Sequence, residues 1–403
     1  MIPRTRPSFS LADLAEAALV REGSGGHKER LATQLRDYLG AREVLLTASG
    51  RSALHAILRA SGRSRVVVPA YTCNAVVEAA TLAGKQVDYA EIERGGFNVD
   101  PNALEPLLGP DAVFIATHQF GIPCDIERIV AMCRARGALV VEDAAASLGT
   151  RVSGRLTGTF GDAAFFSFDV SKLVNVPLKG GAAIAPDPQL FDRVRAAHAE
   201  ATTAMPPAAK ARLLASAAAL VLMQGPRRYR AFHALRFERS GTFTAETPEI
   251  ATTPTEHYRH AFTDWQASVA VGQMDRIDQI VARRRALYAA YEERLRGATS
   301  FSTPPRDVAQ EWAPIRFPIR VHGDKLAFYR AAAERGVDFA FSFTFITAPR
   351  TFEASHALAR AVLDLPFYPD LEDEELERTV DVLTALDRER ARRPSRASVS
   401  VSC

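Results

Sequence analysis

Phe165-Phe166-Ser167-Phe168-Asp169-Val170-Ser171-Lys172 is the stretch whose reading decides the fold. With Ala163-Ala164 it reads as a buried strand over residues 163–168 that breaks into a loop holding one lysine, and the pair Gly180-Gly181 follows soon after. A lysine just past the carboxyl end of an apolar strand lies where open α/β sheets bind ligands. Burial there disfavours the ammonium form and lowers the pKa, which suits an amine that must form a Schiff base. Taken alone, a surface loop lysine reads the same way, so its partners must come from the rest of the chain.

Similar apolar runs recur on both sides of this stretch: Val44-Leu45-Leu46, Val66-Val67-Val68, Val87-Asp88-Tyr89, Val113-Phe114-Ile115 and Leu139-Val140-Val141 before it, Ala182-Ala183-Ile184 after it. Most are separated by stretches with helical spacing, such as residues 52–60, 74–83 and 126–135. Strands alternating with helices predict a parallel sheet, and near-continuous apolar runs predict that both its faces are covered. The expected fold class is α/β: a three-layer αβα sandwich with a mostly parallel seven-stranded sheet, plus a smaller C-terminal α/β domain. At 403 residues the chain exceeds what one hydrophobic core usually serves. The expected divisions are an N-terminal arm over 1–42 with a helix ending near Gly40, a large domain over 43–275, a small domain over 276–388, and a disordered Arg- and Ser-rich tail over 389–403.

Composition narrows the function classes. The chain is 47% hydrophobic and 24% charged, as ordinary globular proteins are. A formal net charge of +3 with scattered basic residues argues against a nucleic-acid partner. The four cysteines, Cys73, Cys124, Cys133 and Cys403, show neither metal-ligand spacing nor a secreted disulfide framework, so no metal is expected and a reducing cytoplasm is. The N-terminus lacks the apolar run of a signal peptide, and no run approaches the roughly 20 apolar residues of a membrane span.

The α/β rhythm stops over about 190–256. A helix rich in Ala and Leu at 212–223 precedes the basic and aromatic run Arg227-Arg228-Tyr229-Arg230-Ala231-Phe232-His233. An apolar stretch beside a basic cluster fits an interfacial membrane helix. The apolar part is short, and a helical insertion packed on the core or on a second subunit is the preferred reading. Further on, one long helix is expected over 262–296, an alternating strand over 315–321, a helix over 324–335 and a last helix over 373–386. Phe339, Phe341, Phe343 and Phe345 alternate like one face of a strand, and would also suit a substrate cleft at the domain boundary.

The chemistry is expected where the large-domain strands end. Thr47-Ala48-Ser49-Gly50-Arg51-Ser52 is a small-residue turn opening a helix, whose free N–H groups would hold a phosphate, with Arg51 adding a cation. An ordinary helix cap looks the same. After the fifth strand comes Glu142-Asp143-Ala144-Ala145-Ala146, where a carboxylate would keep a pyridine nitrogen protonated or serve as an N-cap. Ser167 shares its strand end with Lys172 and can donate to phosphate. His118, at the end of the 113–117 strand, reads as a structural hydrogen-bonding residue first and a general acid second.

With these residues in place, the chain resembles the DegT/DnrJ/StrS family of sugar aminotransferases, pyridoxal-phosphate enzymes of fold type I. The resemblance rests on Ser49-Gly50, Val68-Pro69-Ala70-Tyr71-Thr72, Gly95-Gly96-Phe97-Asn98-Val99-Asp100, His118-Gln119-Phe120-Gly121, Val141-Glu142-Asp143-Ala144-Ala145, Gly158-Thr159-Phe160-Gly161-Asp162, Phe166-Ser167-Phe168 with Lys172, Gly180-Gly181-Ala182, Gln266-Ala267 and Leu365-Pro366-Phe367-Tyr368-Pro369. It implies that Lys172 is the lysine bonded to the cofactor, Asp143 the partner of its ring nitrogen, and Ser167 with the Arg51 and Ser52 amides, beside Gly50, the phosphate cup. Three positions depart from the pattern. Ala146 stands where Gln or His usually covers one face of the ring, Cys73 where an aromatic often covers the other, and Arg259 where a neighbouring subunit usually contributes Asn to the phosphate.

The implied function is transfer of an amino group from an amino acid, glutamate above all, to a keto-sugar, nucleotide-linked, by a cytoplasmic homodimer with shared sites. Another pyridoxal-phosphate reaction on a similar sugar, such as dehydration, and a regulatory homologue without turnover are the alternatives. Dehydratases of the family tend to carry histidine in place of the lysine, and Lys172 argues against them.

Overall fold

The computed structural model describes residues 1–23, 25–177, 179–235, 250–304 and 311–392. The seven apolar runs form one sheet. In chain order the strands are β1 (Leu45–Thr47), β2 (Arg65–Pro69), β3 (Gln86–Ala90), β4 (Ala112–Thr117), β5 (Leu139–Asp143), the small separate hairpin β6 (Arg151–Val152) and β7 (Arg155–Leu156), then β8 (Ala163–Ser167) and β9 (Gly181–Ile184). Across the sheet the order is β1-β9-β8-β5-β4-β2-β3. The run from β8 to β3 is parallel, and β9 is antiparallel to both its neighbours.

Side chains on a strand alternate between faces, and both faces here are buried. Val66, Val68, Val113, Ile115 and Phe165 pack with the helices Gly50–Ala60, Asn74–Leu82 and Pro188–Ala201. Their neighbours Val67 and Phe114 pack with the helix Ile126–Arg136, while Ala164 and Phe166 pack with His27–Leu39 and Asp264–Met274. The result is the expected α/β three-layer sandwich. Because β1 and β2 lie far apart in the sheet, the helix joining them crosses the middle strands, which sets its N-terminus over β8 and β9. Gly181 permits the approach: a Cβ there would sit 2.5 Å from the Gly50 nitrogen and 2.7 Å from the Phe166 carbonyl.

A second, antiparallel sheet has the order β10 (Phe301–Ser302), β11 (Pro318–Val321), β12 (Val362–Asp364). Phe301, Phe317, Ile319, Phe328, Leu363 and Leu383 build a separate core under it with the helices Lys325–Glu334 and Asp373–Ala391. The N-terminal helix at His27–Leu39 ends at Gly40 in the left-handed region, φ 62, as read. Before it, the helix Leu11–Leu19 packs on Asp264–Met274 and Pro207–Leu222, and the first residues reach the second core. Ile2 bridges Val337, and Arg4 pairs with buried Asp338 at 2.7 Å.

Several elements differ from the expectation. The long helix over 262–296 is two helices, Asp264–Met274 and Ile277–Arg294, because the chain turns at Arg276 (φ −117, ψ 17) and carries the second one from the first core to the other, where Leu287 and Tyr291 are buried. The alternating phenylalanines form no strand. Val337 and Ala340 make single bridges, and Phe343 at φ 47 takes a conformation no strand tolerates. The strand over 315–321 begins only at Pro318, which leaves Arg316 outside it. The last helix runs on to Ala391, so the start of the expected tail is helical, and residues 393–403 lie outside the described part. The 212–223 helix is Pro207–Leu222, and the basic run forms the helix Pro226–His233, with Tyr229 buried and donating to Asp338 at 2.6 Å. No helix among the described residues is long and apolar enough to cross a membrane.

Candidate active site

A cavity of about 240 Å3 opens at the carboxyl ends of β4, β5 and β8. Thr117, Asp143 and Ser167, each the last residue of its strand, line it together with Gly50, Arg51, Cys73, Ala146 and Lys172. Parallel pairing sets Thr117 opposite Asp143, so the two strand ends are level.

The crossing helix supplies one end of the cavity. Ser49 caps it, accepting the Ser52 N–H at 3.1 Å, while the Ser52 hydroxyl bonds back to the Ser49 backbone. The Ser52 amide is thereby engaged, and Ser52 does not line the cavity. The Gly50 and Arg51 N–H groups are left without an acceptor among the described residues, aimed with the helix dipole at the same space. Gly50 keeps this approach close, since a Cβ would stand a tight 3.0 Å from that of Ser167. The Arg51 guanidinium is paired with Glu78 at 2.9 Å, and Glu78 also accepts the Tyr258 hydroxyl at 2.8 Å.

Lys172 and Asp143 occupy the middle. Burial lowers the Lys172 amine below the usual lysine range, Asp143 opposing this and Arg316 adding to it. Burial raises the Asp143 carboxyl, against the pull of Lys172 and of the Ala145 N–H it accepts at 3.1 Å. No helix begins at Asp143, which removes the N-cap alternative. Such opposed perturbations in one cavity are the mark of groups placed for chemistry.

His118 belongs elsewhere. It is fully buried behind the strand end, its Nε2 3.1 Å from Glu142 and its Nδ1 accepting the Cys124 N–H at 3.3 Å, which fixes the Nε2–H tautomer. It does not line the cavity, so the structural reading holds over the general acid.

Residues 11–384 match the DegT/DnrJ/EryC1/StrS aminotransferase family. The chain belongs to that family. Solved structures share the fold over nearly all of it: Helicobacter pylori PseC, an aminotransferase involved in the biosynthesis of pseudoaminic acid (TM-score 0.75, 15% identity, 96% of this chain and 99% of that one); the putative sugar aminotransferase Spr1654 from Streptococcus pneumoniae in its PMP form (TM-score 0.75, 19% identity, 96% and 100%); and S. venezuelae DesV (TM-score 0.72, 23% identity, 96% and 99%). The protein is a pyridoxal-phosphate-dependent aminotransferase of fold type I.

The residues of this DegT-family aminotransferase fit that cofactor. Two N–H groups at a helix N-terminus and the Ser167 hydroxyl suit a phosphate, and the Thr117 hydroxyl is a buried cavity atom without a partner among the described residues. Cys73 and Ala146 both reach the cavity and keep its walls lightly covered. Arg259 does not line it. Its side chain is exposed, and its carbonyl accepts the Thr203 N–H at 2.6 Å.

Some lining residues are not marked as site residues by the sequence. Lys179 stands just before Gly180-Gly181, with its amine lowered by burial and then by Arg51, and lies 3.7 Å from Asp169. Its place before the glycine pair was the available signal. Arg316, expected within a strand, and Thr117, the last residue of its apolar run, also line the cavity, and so does Phe343, in keeping with the cleft reading of the alternating phenylalanines.

Proposed function

We propose that this aminotransferase moves an amino group from an amino-acid donor, glutamate above all, to the carbonyl of a nucleotide-linked keto-sugar in polysaccharide or secondary-metabolite biosynthesis. The observation that carries the reading is the placement of Lys172 and Asp143, with opposed perturbations, in a single cavity to which a helix N-terminus also contributes. The sugar assignment draws on the family and on the solved relatives named as sugar aminotransferases. Pyridoxal phosphate, when bound, supplies an electron sink for the carbanion formed when the donor loses its α-proton.

The chain's own residues do the rest. Lys172 would hold the cofactor covalently, and its amine, when free, would take the proton from the donor's α-carbon and carry it across the site. Desolvation favours the uncharged amine that this proton transfer requires. Asp143 would turn its carboxylate toward the ring nitrogen, where a charge-assisted hydrogen bond would hold the proton on. The Gly50 and Arg51 amides and the Ser167 hydroxyl take the phosphate. Ser52 acts through Ser49, by fixing the turn that aims those amides. Cys73 and Ala146, both lining the cavity, would cover the ring only lightly.

We take 43–275 as the cofactor-binding domain, 276–388 as the smaller one, and a cytoplasmic homodimer as the working form. Arg259 fits a role in trans: it is exposed outside its own cavity, yet the carbonyl of His257, two residues before it, accepts the Ser49 hydroxyl at 2.8 Å, so the segment borders the phosphate end. Steady-state kinetics with L-glutamate and a panel of keto-sugar nucleotides tests the function. Parallel double-reciprocal lines, with 2-oxoglutarate and amino-sugar formed in equal amounts, are expected. A sugar product that has lost water with no donor consumed would instead establish dehydration.

A further inference from the structure

We propose that the amino-end face of the large sheet carries a second ligand site, which takes a polyphosphate group. Leu139 and Val140, the first residues of β5, line a cavity of about 620 Å3 there. Asp143, the last residue of the same strand, lines the cavity of Lys172. At about 3.3 Å per residue, roughly 13 Å of strand separates the two, so the second cavity is no extension of the first.

Four arginines line it: Arg63 just before β2, Arg134 in the last turn of the helix Ile126–Arg136, Arg155 in β7, and Arg193 in the helix Pro188–Ala201. Three of them have another arginine two residues further on that does not line the cavity. Arg65 pairs with Asp88 at 2.5 Å and Asp111 at 2.7 Å, Arg136 with Glu105 at 3.0 Å, and Arg195 with Asp192 at 2.5 Å. Arg63, Arg134 and Arg193 form no ion pair among the described residues. In each case the fold neutralises the arginine outside the cavity and leaves the one that lines it charged.

The contacts these side chains do make are with neutral groups. Arg63 Nη1 donates to the Pro110 carbonyl and Arg193 Nε to that of Ala60 at 3.2 Å. Arg155 donates through Nε to the Thr159 hydroxyl at 3.0 Å and lies over the Phe160 ring, 4.5 Å from its centroid. Such contacts orient a guanidinium while leaving its charge uncompensated and several of its five N–H donors free. The two carboxylates of the lining are engaged with backbone: Asp162 accepts the Val140 N–H at 2.8 Å, and Asp187 caps the helix Pro188–Ala201 by accepting the Gln189 N–H at 3.0 Å. Four guanidinium groups against two carboxylates in a concave pocket focus a positive potential.

The guanidinium fork matches pairs of phosphate oxygens. Forks contributed by four separate segments around a cavity of this size suit a chain of linked phosphates better than a single one. Space for the rest of a ligand lies alongside: a cavity of about 640 Å3 shares Arg155, Thr159 and Pro186 with the first and adds Tyr38, Leu156 and Ile184 beside Arg42 and Arg151. Both volumes fall in the range of small-molecule pockets. The polyphosphate end of a nucleotide and free inorganic polyphosphate present the same chemistry to this site.

The test uses calorimetry on the cofactor-loaded protein at low salt, with inorganic triphosphate and adenosine triphosphate as probes. Both should bind, and Arg63→Gln and Arg193→Gln should each weaken binding roughly 10-fold or more, the scale of a hydrogen bond to a charged group. Arg128→Gln, which removes an exposed arginine bonded to Asn102 outside the cavity, should leave affinity unchanged. Phenylglyoxal footprinting of the wild type locates the site without any variant: triphosphate should shield Arg63, Arg134 and Arg193. Either order of affinity supports the site, tighter binding of the nucleotide assigning it to nucleotides and equal binding to free polyphosphate. No binding by the wild type, unchanged affinity in both cavity variants, shielding of Arg51 or Arg316 in place of the three, or tighter binding of a duplex DNA oligonucleotide than of either probe would each overturn the proposal.

Discussion

Glu142 and Asp143 are adjacent on β5, and the pleat sends them to opposite faces. Glu142 is 0% exposed and surrounded by donors: the Gly158 N–H at 2.7 Å, Phe160 at 2.5 Å, Gly161 at 2.7 Å, and His118 Nε2 at 3.1 Å. Asp143, 7% exposed, accepts a single backbone N–H and otherwise faces the cavity of Lys172. Two buried carboxylates one residue apart thus divide the labour. The saturated one holds the 158–161 loop to the sheet, and the unsaturated one keeps capacity for a ligand. Satisfaction of hydrogen-bonding groups, more than burial, separates the structural acid from the functional one.

Breaking the pair from the structural side should have the largest effect. Glu142→Ala strands three backbone N–H groups and the buried imidazole N–H, each unsatisfied buried donor costing roughly 1–3 kcal/mol. Chemical denaturation should show it as a shifted midpoint. Asp143→Asn, in contrast, should leave that midpoint in place while turnover falls on the order of 10²–10³-fold, the usual scale for removing one preorganised electrostatic contact. Equal unfolding midpoints for the two variants would erase the distinction.

A pair of buried histidines sharpens it. His118 has the Glu142 carboxylate, whereas burial, helped by His55, lowers His198 to about 4. Between its unfolded value of 6.5 and about 4 the unfolded chain binds a proton that the folded chain does not, so stability rises with pH across that window and is flat above it. His198→Gln should flatten this acid limb, on the order of 3 kcal/mol at pH 4 at 1.36 kcal/mol per unit, in denaturation curves taken from pH 4 to 7. A backbone effect is expected from Gly181→Ala, whose Cβ would collide with the Gly50 nitrogen and the Phe166 carbonyl. Overpacking of this kind costs roughly 1–3 kcal/mol, and it should weaken pyridoxal-phosphate affinity in equilibrium titrations because the helix N-terminus must shift.

Much of this was legible in the residues, for a physical reason. Strands buried on both faces read as unbroken apolar runs, which is why all seven stood out, and residues at their carboxyl ends, Lys172 and Asp143 among them, inherit the site. What stayed hidden depends on pairing between distant segments. Lys179 reaches the cavity only because β9 runs antiparallel to β8, with Ser167 opposite Gly181. Arg51 offered a cation to the phosphate until the fold set Glu78 beside it. Arg316 looked like one residue of an alternating strand that in fact begins two residues later. The phenylalanines at 339–345 alternate convincingly, yet the free edge of β12 takes only one bridge from them, at Ala340. Nothing local records that.

The presence of two lysines, Lys172 and Lys179, in one cavity makes the central claim directly measurable. The protein would be loaded with pyridoxal phosphate, reduced with borohydride and digested, and the modified peptide sequenced by mass spectrometry. A pyridoxyl group on Lys172, absent from Lys172→Ala and retained in a Lys179→Ala control, is the predicted result. Modification of Lys179 in place of Lys172, or of neither lysine, would contradict it.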